Sequence, residues 1–363
     1  MSAMIVSMRT IGIQAEHRFV VSSEEYRQAR TPLYRTLLRL KMYLEYPVRL
    51  AWFCVIDRSP RILVITTNTF YAPLIAITLS SRSQLVVHLV WDLFPDALVT
   101  VGRFAPNGWV ISCVKGIVQY IFRHVSANVF LGQRLLKHAE TKFRQVPKSY
   151  VIPVGANASV FADVHLGLCE LHRAVDILYC GNFGVMHDSI TLIEALKSSD
   201  HIDGLNGGFT LTFHASGPNY VDFKNSIRAI DSALARNVRL ESSLNDDEWV
   251  YRMHQAQVAL VTMKPGSEKV VMPSKTYSAL AAGQAILAIC PIDSDLAHLV
   301  IEEKCGWVVT PGKPEELLAA LHEISTQRNL LLKKRKNAFQ VGQSKFSNGG
   351  VAHEWVALIN KLK

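Results

Sequence analysis

Short apolar runs alternate along the chain with stretches in which apolar positions recur every three or four residues. The first pattern predicts buried strands, and the second predicts amphipathic helices. In the first half, the predicted strands are 17–22, 62–67, 85–90, 127–131 and 150–153, and the predicted helices are 24–50, 71–80, 110–123 and 133–143. Strands that alternate with helices form parallel βαβ units, so this half is predicted to be a Rossmann-like domain.

The second half repeats the pattern after a predicted linker at 153–176. Its predicted strands are 176–180, 209–215, 238–240, 257–262, 285–290 and 307–310, and its predicted helices are 189–196, 246–255, 275–282, 314–325 and 351–362. We therefore expect two doubly wound α/β domains with a cleft between them.

One stretch, V-V-M-P-S-K-T-Y-S-A-L-A-A-G at 270–283, carries several local signals. Two valines are predicted to end a strand, because Pro273 lacks the N–H that would continue the ladder. Ser274 stands at a predicted helix N-cap, and Gly283 is predicted to close the helix. A helix N-terminus attracts anions such as a diphosphate, and Lys275 would add charge there. The alternative is an ordinary surface turn with a solvated lysine.

The basic residues are concentrated in the first half of the chain. Residues 1–150 hold 19 Lys and Arg against 8 Asp and Glu, whereas residues 151–363 hold 20 against 22. They lie among apolar and aromatic residues, and no nucleic-acid-binding module is recognisable. We therefore expect an anionic membrane surface, not nucleic acid, as the partner. The 111–123 helix and the 43–53 stretch are candidates for contact with it; the alternative is that both are core helices with basic ends.

The composition limits the compartment and the class of protein. At 363 residues, the chain is long enough for two domains of ordinary size. Six cysteines without a C-x-x-C or a metal-ligand spacing predict free thiols in a reducing compartment. No run of apolar residues is long enough to span a membrane, and no signal-peptide pattern opens the chain, so we expect a cytoplasmic protein, peripheral on the inner face of the membrane.

Several motifs together resemble the GT-B glycosyltransferases, specifically the glycosyltransferase family 4 type of bacterial surface polysaccharide biosynthesis. The segments that carry the resemblance are I-L-Y-C-G-N-F-G-V-M-H-D-S-I-T-L-I-E-A-L (177–196), A-S-G-P (215–218), Q-A-Q-V-A-L-V-T-M-K-P-G (255–266), the 270–287 stretch, C-G-W-V-V-T-P-G-K-P-E-E-L (305–317), H-L-V-W-D-L-F-P-D-A-L-V (88–99) and Y-V-I-P-V-G-A-N (150–157). The resemblance covers roughly residues 60 to 363.

The resemblance implies a domain arrangement. An acceptor-binding Rossmann-like domain would occupy 1–157, a donor-binding one 158–345, and a final helix in 346–363 would cross back onto the first domain. The first strand and glycine-rich loop of such an acceptor domain are not recognisable in this sequence, as if the first βα unit were shortened.

The resemblance also implies a donor site. Its candidate residues are Gly181, Asn182, Phe183, Gly184, His187, Gly217, Pro273, Ser274, Lys275, Tyr277 and Ser278. Two features depart from the family pattern. Asn182 and His187 stand where a basic pair is frequent, so neutralising a diphosphate would depend more on Lys275. Ser278 stands where an acid that binds the ribose is expected.

Three carboxylates are candidate catalytic groups. Glu268 best matches the upstream acid of the family, with a solvated loop charge as the alternative. Asp92 and Asp96 follow a predicted buried strand and would bind the acceptor hydroxyl or act as base; the alternative is that each caps a turn or helix. The D-x-D at 293–295 is predicted to cap a helix rather than to hold a metal.

The predicted function is transfer of a sugar from a nucleotide-sugar to an acceptor hydroxyl, with a lipid-linked saccharide as the expected acceptor. The resemblance implies retention of configuration, and no metal or other cofactor is expected. Two alternatives remain open: a nucleotide-sugar epimerase on the same fold, and a non-catalytic GT-B partner protein.

Overall fold

The computed structural model describes residues 32–67, 69–100, 102, 104–164, 166–167, 174–197, 205, 207–270 and 272–363. Two compact units divide the chain: the first holds the residues up to Pro153 together with Ala352–Lys363, and the second is Val154–Val351. Three predictions fall on residues outside the described set: the strand at 17–22, the shortened first βα unit and the free thiol of Cys169. Residue 271, in the 270–283 stretch, also lies outside it. The cysteines of the described part all carry free thiols.

The first unit is built on a parallel sheet with strands in the order β1-β2-β3-β4. The strands are β1 (Arg61–Thr66), β2 (Gln84–Val90), β3 (Ala127–Phe130) and β4 (Ser149–Val151). The helices are α1 (Pro32–Ile56), α2 (Ala72–Leu79), α3 (Asp96–Thr100), α4 (Trp109–His124) and α5 (Gln133–Phe143). β2 is buried over nearly its whole length because helices cover both faces of the sheet.

Two apolar clusters hold this unit together. One joins the inner faces of α4 and α5 to β2 and β3, with Phe122 and Phe143 packed edge to face. The other joins α1, α2 and the opposite face of the sheet. The chain end also packs here, where the Lys361 ammonium lies 5.1 Å from the centroid of the Tyr150 ring.

The second unit is built on a six-stranded parallel sheet in the order β10-β9-β8-β5-β6-β7. The strands are β5 (Val175–Asn182), β6 (Phe209–Ser216), β7 (Val238–Glu241), β8 (Val258–Thr262), β9 (Ala285–Ile289) and β10 (Gly306–Val309). The chain runs outward from β5 through β6 to β7, and then resumes on the other side of β5 with β8. This reversal creates a topological switch point between β5 and β8, where open α/β sheets bind ligands at the carboxyl ends of the strands.

The helices of the second unit follow the predicted order with two additions. They are α6 (Ile190–Lys197), α7 (Tyr220–Arg228), α8 (Asp246–Gln255), α9 (Lys275–Ala281), α10 (Asp295–Glu302), α11 (Pro314–Thr326) and α12 (Arg328–Gln343). The last helix of the chain is α13 (Asn348–Leu362), which starts in this unit and ends in the first one. α7 and α12 were not predicted.

Local details of the 270–283 stretch differ from the prediction. Val270 follows a single 3-10 turn, Ser267–Lys269, and is not part of a strand. Ser274 precedes α9 as predicted, but it has helical backbone angles and its side chain makes no capping hydrogen bond. Gly283 closes the helix as predicted, with a φ of +67° and its N–H donating to the Leu280 carbonyl. In the D-x-D, Ser294 caps α10 by accepting a bond from the Ala297 N–H, which confirms the predicted cap.

Candidate functional site

The candidate site begins where β5 ends. β5 runs in the middle of the sheet, and Gly181, its penultimate residue, has a φ of +121°, which favours glycine. A Cβ at Gly181 would meet only the end of the Lys275 side chain, at 3.9 Å. The end of β5 therefore lies against Lys275 at the switch point between β5 and β8.

The Lys275 ammonium is buried and has no hydrogen-bond partner in the part of the chain that the structure describes. Its Nζ lies 3.8 Å from the centroid of the Tyr179 ring, a cation–π contact that holds it over the inner part of β5. No ion pair with Lys275 is found among the described residues. Burial lowers the pKa of this lysine to about 7, against the weak opposing effect of the Cys180 thiol. A buried donor with three unused hydrogens is costly to keep unless a ligand satisfies it.

The loop after β5 is ordered by its own contacts. The Gly184 N–H donates to His187 Nδ1 at 3.1 Å, and the His187 ring stacks on Phe183. Burial, and then the charge of Lys275, lower the pKa of His187 to about 4. His187 is therefore neutral at physiological pH. Neither Asn182 nor His187 therefore carries a positive charge in this loop, and the dependence of a bound diphosphate on Lys275 stays a prediction.

Gly217 directly follows β6 and lies against the loop after β5. Its φ is +128°, and a Cβ there would lie 2.5 Å from Asn182 Oδ1 and 2.7 Å from the Phe183 carbonyl oxygen. The Phe183 N–H donates to the Ser216 carbonyl at 2.6 Å, which locks the β5 and β6 loops together. Atoms of the chain fill the space that a Cβ at Gly217 would occupy, so a turn at the end of β6 is sufficient to explain a glycine here.

Glu268 is mostly buried, in contrast to the alternative of a solvated loop charge. Its side chain is only 9% exposed, and Oε1 lies 3.9 Å from Lys269 Nζ. Oε2 is buried and meets no hydrogen-bond donor among the described residues. The neighbouring Ser267 hydroxyl and the Lys264 N–H both donate to the Met186 carbonyl, so the Glu268 turn is tied to the loop after β5. Like the Lys275 ammonium, this buried carboxylate oxygen costs free energy as long as no hydrogen bond satisfies it, and a bound ligand would remove that cost.

The remaining candidate residues lie on α9 or just before it, and some face the candidate site while one is buried in the core. Ser278 and Lys275 line one small cavity, together with Cys180 and Trp249. Ser274 is exposed and Pro273 half-buried. Tyr277, in contrast, is 2% exposed and packs against Phe346, so its side chain belongs to the core and not to the site surface.

In the first unit, the structure separates the two predicted aspartates. Burial raises the pKa of Asp96, but hydrogen bonds from His138 and Lys142 outweigh this and hold that pKa below its ordinary value. Both partners come from α5, so Asp96 ties the start of α3 to α5. Asp92 has no ion pair among the described residues, and burial alone raises its pKa. Of the two, Asp92 is the carboxylate suited to accept a proton.

Sequence reasoning did not identify Tyr179 or Cys180. Tyr179 is buried in β5 and donates its hydroxyl to the Asn182 carbonyl at 2.8 Å, so it supports both the loop and Lys275. In the sequence, Tyr179 is an aromatic residue within an apolar strand, with nothing to mark it as part of a site. Its contact with Lys275 arises only in the folded protein, where β5 pairs with β8.

Comparison with known proteins places this geometry in a known fold. No family model matches the chain. Its sequence is 23% identical over 277 residues to the probable glycosyltransferase WbjE of Pseudomonas aeruginosa, covering 73% of this chain and 64% of that relative. The chain thus spans less than two thirds of the length of that relative.

Solved structures give the same fold at lower identity. Sucrose-phosphate synthase from Thermosynechococcus elongatus superposes with a TM-score of 0.67 at 15% identity, over 92% of this chain and 82% of its own. HepE from Anabaena, solved in complex with UDP, gives 0.65 at 12%, over 91% and 89%. TarM from S. aureus, solved as a mutant with fondaparinux, alpha-GlcNAc-glycerol and UDP, gives 0.59 at 12%, over 86% and 59%. The chain has the two parallel-sheet α/β domains of GT-B glycosyltransferases, which confirms the predicted fold class.

Proposed function

We propose that this protein is a glycosyltransferase that moves a sugar from a nucleotide-sugar donor to an acceptor hydroxyl. The observation that carries the proposal is the buried, unpartnered Lys275 ammonium at the carboxyl edge of β5. It lies at the topological switch point of a GT-B fold, where a ligand is expected. The fold alone does not assign an activity, and the similarity to a probable glycosyltransferase adds support from sequence.

In the proposed reaction, Lys275 binds the diphosphate of the donor. The bond from the sugar to the diphosphate breaks, and negative charge develops on the leaving oxygen. A preorganised cation in a water-poor site stabilises that charge without reorganisation. Since the ammonium is already held over Tyr179, this group supplies the positive charge that the reaction needs, and we propose that no metal is required.

Glu268 is proposed to bind the transferred sugar. Its buried Oε2 accepts no hydrogen bond in the described structure, and sugar hydroxyls are suitable donors. Ser278 lines the same cavity as Lys275 and offers a neutral hydroxyl to the ribose, a weaker interaction than a carboxylate would give.

On the acceptor side, Asp92 is proposed to accept the proton of the attacking hydroxyl, and Asp96 to hold α3 in place. The proposed acceptor is a lipid-linked saccharide of cell-surface polysaccharide assembly, and the proposed location is the cytoplasmic face of the membrane. Among the described residues, no helix combines the length and apolar character needed to cross a membrane. We also propose retention of configuration, as in family 4 enzymes.

A panel of UDP-, GDP- and TDP-sugars tests the proposal, with thermal protection and donor hydrolysis as readouts. We expect one nucleotide series to protect the protein and to be hydrolysed slowly in the absence of acceptor. Conversion of the donor sugar without hydrolysis would instead indicate an epimerase. Protection without turnover with any acceptor would indicate a non-catalytic partner, and absence of binding to every donor would refute the proposal.

A further inference from the structure

α1 carries a row of exposed apolar side chains along its whole length. The row consists of Leu33, Leu37, Leu40, Leu44, Val48, Trp52 and Val55. Val48 and Trp52 are 68% and 70% exposed. A single exposed apolar residue is ordinary on a protein surface, but a contiguous row of this length marks an interaction surface.

This row, called here the α1 stripe, is not the face by which α1 packs on its own unit. That role belongs to Tyr46, Leu50, Phe53 and Cys54, which join the cluster containing Ile65 and Ala76. α1 is therefore apolar on two faces, and the core accounts for only one of them.

The α1 stripe stays on one side of its helix. Its members recur every three or four residues, with a mean of about 3.7, close to the 3.6-residue turn of an α-helix. From Leu33 to Val55 the row is roughly 33 Å long, at the rise of an α-helix. An apolar row on one side of a single helix is the arrangement of a helix that lies in the plane of a membrane interface.

The charges around the α1 stripe favour an anionic surface. Helical spacing places two basic residues of α1 beside the α1 stripe: Lys41, four residues after Leu37, and Arg49, three residues before Trp52 and paired with Glu45. α4, which packs on α2 as α1 does, exposes Lys115 and Arg123. Long basic side chains beside an apolar helix face reach lipid phosphates while their stems lie along the apolar region.

We propose that the α1 stripe docks the protein on an anionic lipid bilayer, with its apolar side chains at the boundary between headgroups and acyl chains. The docking surface extends the proposed function, since it would bring the protein to a lipid-linked acceptor. Its physical basis is nevertheless separate from the donor site, because the α1 stripe belongs to the first unit and Lys275 to the second.

Vesicle flotation of the full chain tests this surface. The vesicles are phosphatidylcholine alone, or phosphatidylcholine and phosphatidylglycerol in equal parts, and no nucleotide-sugar is present. We expect Val48→Glu to lower the partition coefficient about tenfold or more, the cost of withdrawing one valine side chain from an apolar phase and adding a charge. The matched control is Val221→Glu, since Val221 is 59% exposed on α7 of the second unit; this variant should bind as the wild type does. Binding should be tighter to the anionic vesicles and weaker in high salt.

Three results would overturn the docking surface. The first is no flotation of the wild type with either vesicle, and the second is flotation of Val48→Glu equal to that of the wild type. The third is a lipid-independent dimer that Val48→Glu dissociates in sedimentation equilibrium. Trp52→Glu serves as a second variant, and unchanged thermal melting with unchanged nucleoside-diphosphate binding shows that each variant is folded. Loss of vesicle binding with intact nucleotide binding leaves the proposed donor site untouched, so the two failures are distinguishable.

Discussion

The ammonium of Lys275 lies 3.8 Å from the centroid of the Tyr179 ring, and the two residues come from α9 and β5, on either side of the switch point. The ring face attracts the cation but leaves its hydrogens unused, so Lys275 is fixed in position and still able to bind a ligand. The same nitrogen affects the protonation of His187, whose pKa it helps to lower. Burial first, and the charge of Lys275 second, thus keep His187 neutral in the loop after β5.

The buried charge predicts an unusual dependence of stability on pH. Burial lowers the pKa of Lys275 from 10.5 to about 7, so between these values the unfolded chain holds a proton that the folded protein lacks. The free energy of unfolding should therefore rise with pH in this window, by up to about 1.4 kcal/mol per unit. Lys275→Met lacks the effect, so it should be more stable than the wild type at pH 6, with a gap that closes toward pH 10. Urea unfolding of both proteins across this pH range measures the difference in stability. A difference that does not change with pH would contradict the lowered pKa of Lys275.

Glu268 should affect the sugar and not the nucleotide. Replacing its unsatisfied carboxylate by an amide, in Glu268→Gln, should weaken nucleotide-sugar binding and lower kcat by about tenfold or more, the cost of one charge-assisted hydrogen bond. The affinity for the nucleoside diphosphate alone should not change. Glu302→Gln, at an exposed position on α10, is the control. Equal weakening of both ligands by Glu268→Gln would place the carboxylate at the nucleotide instead.

Gly217 and Gly181 form a matched pair for testing how the two loops are held. Their φ angles are +128° and +121°, but only a Cβ at Gly217 meets backbone and side-chain atoms at less than 3 Å. Backbone strain is therefore common to both alanine variants, and the steric clash is specific to one. Gly217→Ala should lose about 1–3 kcal/mol more stability than Gly181→Ala in denaturant unfolding. Similar losses would mean that the contact between the β5 and β6 loops is not rigid.

The two aspartates of the first unit should respond in opposite ways. Asp96→Asn breaks the interactions with His138 and Lys142 and should cost about 1–3 kcal/mol of stability. Asp92→Asn removes a carboxylate with a raised pKa and should cost little stability, while lowering kcat about 100-fold if Asp92 is the base. Thermal unfolding and acceptor-dependent turnover separate the two effects. Full activity of Asp92→Asn would rule out the role as base.

The sequence predicted most of the parallel-sheet framework because buried strands appear as apolar runs with few other interpretations. It missed α12 for a specific reason. The buried face of this helix consists of Arg328, Leu331, Arg335, Ala338 and Gly342. Their spacing is helical, but only Leu331 and Ala338 have apolar side chains. Arg335 is buried because it donates to the Gly283 carbonyl, and Gly342 is needed where a Cβ would lie 2.4 Å from the Ala281 nitrogen. Neither relationship can be read from hydropathy.

The site was predictable only in part. Strand ends and glycines located the loops at 181–184 and 217, and the order of motifs pointed to Lys275. The burial of Lys275 and Glu268, and the inward packing of Tyr277, depend on contacts between segments far apart in the sequence. Asp92 and Asp96 are four residues apart, and the sequence alone does not distinguish their roles. They differ in the structure because α5 brings two basic groups to Asp96 and none to Asp92 among the described residues.

Calorimetric titration with a nucleoside diphosphate tests the central claim, that Lys275 is the cation of the donor site. The proteins are the wild type, the nearly isosteric Lys275→Met, and Lys313→Met, which removes a lysine 55% exposed at the surface of the same unit. We predict that Lys275→Met raises Kd at least about 30-fold, the value of a buried charge-assisted contact, while Lys313→Met binds as the wild type does. Wild-type binding at pH 8 should also take up a proton, because the charge of a bound diphosphate should raise the pKa of Lys275 from about 7 to above 8. Unchanged affinity in Lys275→Met, with no proton taken up by the wild type, would contradict the claim.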